Sequence, residues 1–223
     1  MKKIAVILSG CGFLDGSEIQ ESVLTLLYIR KNGFAYDCYA PDENQTEVIN
    51  HDTQQPLAET RNIMAEAARI SRSKISPLTE LNPERYAAII LPGGFGVAKN
   101  LFTLLKDGQN AVVNQDLEKI IRAFHDKRKP IGAICISPSL IAKIFENKKF
   151  YLTAGSETNG KDVLEIFGAN YKALPSSEIC IDYNNNVVST AAYMENETID
   201  NVAAGIEKLV AHIAHQIEKA EAA

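Results

Sequence analysis

The chain has 223 residues, 46% of them hydrophobic and 23% charged, which is ordinary globular composition and suits one domain over residues 1–223. The net charge of −5, with no basic stripe, argues against nucleic acid or an anionic membrane surface as partner. No apolar stretch approaches the roughly 20 residues that cross a bilayer.

"KKIAVIL" (2–8) is a continuous β-branched apolar run, as expected of a buried parallel strand. Only five apolar residues follow its lysines before a glycine-rich turn, too few for a secretory signal. Residues 17–33 read as a helix, with Ser17 as N-cap, Gln20 completing a capping box, and Ile19, Val23, Leu26 and Leu27 at helical spacing. A second strand covers 34–41. The polar segment 42–59 exceeds the usual connection, so it is either functional or carries small elements of its own. A helix over 61–71 follows Thr60 as cap. "YAAIILPGG" (86–94) is a third strand ending in a glycine turn, residues 115–125 form a helix, and "PIGAIC" (130–135) is a fourth strand with a helix from Pro138. Residues 178–192 read as a hairpin turning at 184–186. From Glu197 the chain is a long amphipathic helix built on Ile199, Val202, Ile206, Leu209, Val210 and Ile213. Strands alternating with helices predict an α/β layered domain with a mostly parallel sheet, whose ligands sit at the carboxyl ends of the strands.

Three loops belong at that edge: "SGCGFLDG", "PGGFG", and the turn after Cys135. In "GAICISP", Ala133 and Ser137 flank the cysteine at the small-residue positions of a nucleophile elbow. Ser137 can cap the next helix and Pro138 fits its first turn, so the thiol would face a helix N-terminus and gain thiolate character. The competing reading is a core cysteine, since free Cys is among the most buried residue types. Gly93 and Gly94 let backbone N–H groups approach a bound oxygen and, with the N–H of Ile136, could form an oxyanion hole; read alone they are a tight turn. Glu18 and Glu21 share one face of the first helix. Either could relay protons from a cleft or serve only as a helix-end charge. Cys11 and His51 are possible further lining residues, and His51 reads equally as a solvated loop histidine. Cys11, Cys38, Cys135 and Cys180 show neither a disulfide framework nor zinc spacing. Free thiols in a reducing cytoplasm, no metal and no cofactor are therefore expected.

"ILSGCGFLDGSEIQESVLTLL", "VINHDT", "ETRNIMAEAARI", "LPGGFGVAKNL", "GAICISP" and "TAAYM", in this order, resemble the ElbB family. It is also called enhancing lycopene biosynthesis protein, or isoprenoid biosynthesis protein with amidotransferase-like domain, and lies within the class I glutamine amidotransferase-like, PfpI-type superfamily. The resemblance runs from residue 2 to about 214. It implies a flavodoxin-like three-layer sandwich, a homodimer, Cys135 as nucleophile and Glu21, five residues after Gly16, as the cleft glutamate. It also implies glyoxalase III-like activity, a lyase or hydratase of the hydro-lyase class that converts a small dicarbonyl, glyoxal, to glycolate without glutathione. Where many superfamily members place His, this chain has Ile136, and "STAAYM" holds none, which weighs against amidotransferase and protease chemistry. The other reading is a non-enzymatic stress or interaction protein using Cys135 as an oxidation sensor. A link to isoprenoid synthesis rests on the family's name.

Overall fold

The computed structural model describes residues 1–156 and 160–222. In chain order it runs β1 (Lys3–Ile7), α1 (Ile19–Lys31), β2 (Ala35–Ala40), β3 (Val48–Asn50), β4 (Gln55–Leu57), α2 (Ile63–Ser71), β5 (Ile75–Pro77) and β6 (Ala88–Leu91). There follow α3 (Leu104–Asp107), α4 (Gln115–Asp126), β7 (Ile131–Ile134), α5 (Ser137–Ile144), β8 (Tyr151–Leu152) and α6 (Lys161–Glu165). Last come β9 (Asn170–Tyr171), β10 (Cys180–Asp182), β11 (Val187–Thr190) and α7 (Ile199–Ala222).

Among the described residues the main sheet has seven strands in the order β10-β11-β7-β6-β1-β2-β5. Every neighbouring pair is parallel except the β10–β11 hairpin. The central strands β1, β6 and β7 are buried on both faces, which is why their sequences are unbroken apolar runs rather than alternations. Right-handed crossovers put α1 and α2 on one face and α4 on the other. The tail helix α7 closes the first face against α1, β7 and β11. The result is the mostly parallel sheet with flanking helices that the alternation predicts.

Several local expectations change. The cap of α1 is Glu18, whose carboxylate accepts the Glu21 N–H at 2.6 Å. Ser17 instead turns inward, where its Oγ accepts the Ser9 N–H at 2.8 Å. The cap of α2 is Asn62 rather than Thr60, accepting the Ala65 N–H at 2.8 Å. Segment 42–59 carries the small β3–β4 hairpin. His125 on α4 is half-buried beside Phe145 and Phe150, with ring centroids 4.6 and 5.6 Å away.

Candidate active site

The order reversal of the sheet lies between β1 and β6, so the loops after these strands diverge and leave a crevice at their carboxyl ends. Backbone bonds stitch the two loops together. The Glu18 N–H donates to Gly93 O at 2.9 Å, the Phe95 N–H to Phe13 O at 2.7 Å, and the Gly96 N–H to Gly16 O at 2.9 Å. Approach this close needs glycine. A Cβ on Gly94, at φ +97°, would lie 2.4 Å from both Glu18 N and Gly16 O.

This stitching fixes α1 so that Glu21 points inward beneath Cys135. The cysteine sits one residue past β7 with φ +62°, a left-handed conformation that β-carbon residues rarely hold without support. The Cys135 N–H donates to Thr190 O at 2.9 Å, which anchors the turn. Cys135 is 7% exposed and Glu21 fully buried. The two side chains lie side by side against Gly93. Their closeness explains Gly93: a Cβ there would fall 2.3 Å from Cys135 Cβ, 2.7 Å from Glu21 Oε2 and 2.9 Å from Sγ.

Both carboxylate oxygens of Glu21 have backbone donors, Gly93 N–H to Oε2 at 2.8 Å and Tyr193 N–H to Oε1 at 3.3 Å. These do not offset the loss of water. Burial first, then the neighbouring Glu18 charge, push Glu21 up from 4.5 to about 8. Burial and the Glu21 carboxylate likewise push the Cys135 thiol well above 9.0, against the pull of the Gly94 and Ile136 N–H groups. The expected depression of the thiol pKa at a helix N-terminus is therefore corrected. Desolvation outweighs two N–H groups, and Ser137, expected as a cap, donates to Pro92 O at 2.9 Å instead. Below about pH 8 the resting pair is an uncharged acid beside a thiol.

With Glu21 buried behind it, Cys135 opens onto a cavity of about 730 Å³. Its apolar wall is formed by Phe13, Phe95, Ile136, Tyr193 and Met194, and its carboxylates are Glu18, Glu195 and Glu197. Of the expected oxyanion donors, Gly94 and Ile136 direct N–H groups at the sulfur. The Gly93 N–H does not serve, because it is bound to Glu21. Glu18 lines the cavity but its carboxylate also caps α1.

Cys11 and His51 lie elsewhere. Neither is in the cavity wall. His51 Nε2 accepts the Leu14 N–H at 3.3 Å and Nδ1 lies 3.1 Å from Ile49 O. With the Asp15 carboxylate accepting the Ile49 N–H at 2.7 Å, this histidine locks the β3–β4 hairpin to the glycine loop. Gly12 has no side chain because a Cβ would lie 2.4 Å from His51 Nε2. Cys11, half-buried, sits on the far side of that loop with Asp15, Glu66 and Arg69 around it. Sequence reasoning missed Tyr193, Glu195 and Glu197. The signal available was their place just past the end of β11, where a parallel strand delivers its loop to the same edge. No group of His, Cys, Asp or Glu among the described residues is arranged to hold a metal ion, and no described helix is long and apolar enough to cross a membrane.

The profile of the DJ-1/PfpI family matches residues 13–195. The chain is 37% identical over 216 residues to the rat "ES1 protein homolog, mitochondrial", covering 93% of this chain and 81% of that protein. It is equally similar, at 37% over 216 residues, with the same coverage, to the human "Glutamine amidotransferase-like class 1 domain-containing protein 3, mitochondrial". The crystal structure of an "isoprenoid biosynthesis protein with amidotransferase-like domain" from Ehrlichia chaffeensis superposes with a TM-score of 0.89 at 33% identity, over 96% of this chain and 99% of that one. The mitochondrial names of these relatives overturn the expectation of a cytoplasmic protein. That expectation rested on free thiols, which persist in any reducing compartment and so do not distinguish one from another.

Proposed function

The chain belongs to the DJ-1/PfpI family, and from that premise we propose that it is a glutathione-independent glyoxalase of the ElbB type, converting glyoxal to glycolate at Cys135. The observation that carries this reading is the buried Cys135–Glu21 pair at the floor of an open cavity. A thiol and a neutral carboxylic acid in contact suit addition to a carbonyl, because the whole exchange needs no net charge. Sγ bonds to one aldehyde carbon. The S–H proton passes to one oxygen of Glu21 while the other gives its proton to the carbonyl oxygen, leaving a hemithioacetal. Glu21 then takes the proton from the carbon bearing sulfur and hands its own to the second carbonyl oxygen, giving an enediol. The reverse exchange, protonating the second carbon and deprotonating the first carbon's hydroxyl, yields a glycolyl thioester. Water cleaves it to glycolate and returns the thiol. The Gly94 and Ile136 N–H groups stabilise developing charge on the oxygen next to the sulfur.

Acyl transfer from an amide needs a base such as imidazole, and no imidazole lines the cavity among the described residues, which favours carbonyl chemistry over amidotransferase or protease activity. An oxidation sensor calls for an accessible, low-pKa thiol. A thiol 7% exposed and pushed up by burial suits that role less well than turnover. The test is glycolate formation from glyoxal by the pure protein. Wild type is expected to turn over repeatedly and Cys135→Ser not at all; one equivalent of modified thiol without glycolate would sink the enzyme reading. Following the ElbB resemblance, we also propose that the protein acts as a homodimer.

A further inference from the structure

The walls of the cavity carry a charge pattern that the reaction above does not use. Among the described residues, three carboxylates, Glu18, Glu195 and Glu197, line it, and no Lys, Arg or His does. Lys99 lies beside the wall, its Nζ 5.8 Å from the centroid of the Phe95 ring. It is held by Leu14 O at 2.7 Å and paired with Glu47, so its charge is already engaged. Glu197 is fixed by accepting the Asn201 Nδ2–H at 2.8 Å, and Glu195 by accepting the Ser156 N–H. The acidic groups therefore hold their places rather than sweep solvent.

We infer that this pocket selects its substrates by charge, admitting carbonyl compounds that are neutral or carry a cationic group and excluding those bearing a carboxylate or phosphate, with Glu195 and Glu197 as specificity-determining residues. Clefts lined by one sign of charge over low-dielectric walls focus the field and raise the local concentration of counter-charged solutes. The same field acts on the product. Glyoxal is neutral and glycolate is an anion, so hydrolysis of the thioester creates a species that the carboxylates repel, and product leaves without rebinding. The product arm of this inference rests on the glyoxalase reading; charge selection at the thiol does not.

The experiment separates the two by labelling the thiol instead of measuring turnover. The full chain is treated at pH 7 and low salt with three methanethiosulfonates: cationic trimethylammonioethyl, neutral methyl and anionic sulfonatoethyl. Modification of Cys135 is followed by peptide mapping, with Cys135→Ser as blank and each rate divided by that of glutathione with the same reagent. We expect the normalised cationic rate to exceed the anionic by about tenfold or more, and the ratio to collapse toward one at high ionic strength. Glu197→Gln should lower the ratio several-fold, and Glu195→Gln with Glu197→Gln further. Equal normalised rates for the three reagents, or a ratio unmoved by salt and by both variants, would overturn the inference whether or not glyoxal is a substrate. If glyoxal is turned over, inhibition by glycolate should strengthen several-fold in the double variant; unchanged inhibition would overturn the product arm alone.

Discussion

Glu21 is the residue whose environment most alters its chemistry. Its carboxyl is raised from 4.5 to about 8 by burial, so between those values the folded chain holds a proton that the unfolded chain has released. The stability this contributes is complete below pH 4.5 and is lost as pH rises through about 8. For a fully buried group the loss is on the order of several kcal/mol. Glu21→Gln has no proton to lose, but its NH2 cannot accept one of the two backbone N–H bonds. It should be about 1 kcal/mol less stable than wild type at pH 5, and the gap should close and reverse by pH 9. Thermal melts across that range check it, and a constant gap would mean that Glu21 titrates normally. The same variant should lose about 10² to 10⁴ in turnover with glyoxal. Glu18→Gln should change turnover only a few-fold, because an amide oxygen still caps α1. Gly93→Ala puts a methyl 2.3 Å from Cys135 Cβ. Overpacking of this kind costs about 1–3 kcal/mol, and displacing the thiol from Glu21 should cost about 10² in rate. An alanine variant with wild-type turnover would show that the pair tolerates separation.

Helix α1 works at the scale of an element, since one face delivers Glu21 and the opposite face remains uncovered. Glu21, Thr25, Leu26 and Ile29 turn inward, while Ile19, Val23 and Leu27 stand 45%, 49% and 46% exposed at a spacing of four residues. An apolar stripe on a rigid helix is what a second copy of the chain would cover in the proposed homodimer. Sedimentation should give a dimer for the wild type, and Val23→Asp with Leu27→Asp should give a monomer with unchanged helicity. A double variant that stays dimeric would place the interface elsewhere. Helical spacing groups Ile19, Val23, Leu26 and Leu27, yet of these only Leu26 is buried, because this helix is apolar on both sides. A pattern of spacing identifies faces without saying which one meets the sheet.

At the scale of the whole molecule, the site exists because β1, β6 and β7 run parallel and end at one edge. That edge brings together three loops far apart in the chain: the glycine loop before α1, the "PGGFG" turn, and the Cys135 turn. The strand runs, the helix alternation and hence the layered α/β class were legible in the amino-acid sequence, since buried parallel strands must be apolar throughout. Cys135 on a strand-to-helix turn among small residues and Gly93–Gly94 were legible too, because tight turns and close approaches restrict residue type locally, whereas spacing left Glu18 and Glu21 open and only the ElbB resemblance pointed to Glu21. What only the tertiary structure decided depends on distance through space. The Gly93 N–H is taken by Glu21, His51 and Cys11 sit behind the glycine loop instead of in the cavity, and Glu195 and Glu197 reach it from the end of β11. Burial of the pair turned an expected thiolate into a neutral thiol and acid, because desolvation is set by everything packed around a group and not by its neighbours in sequence.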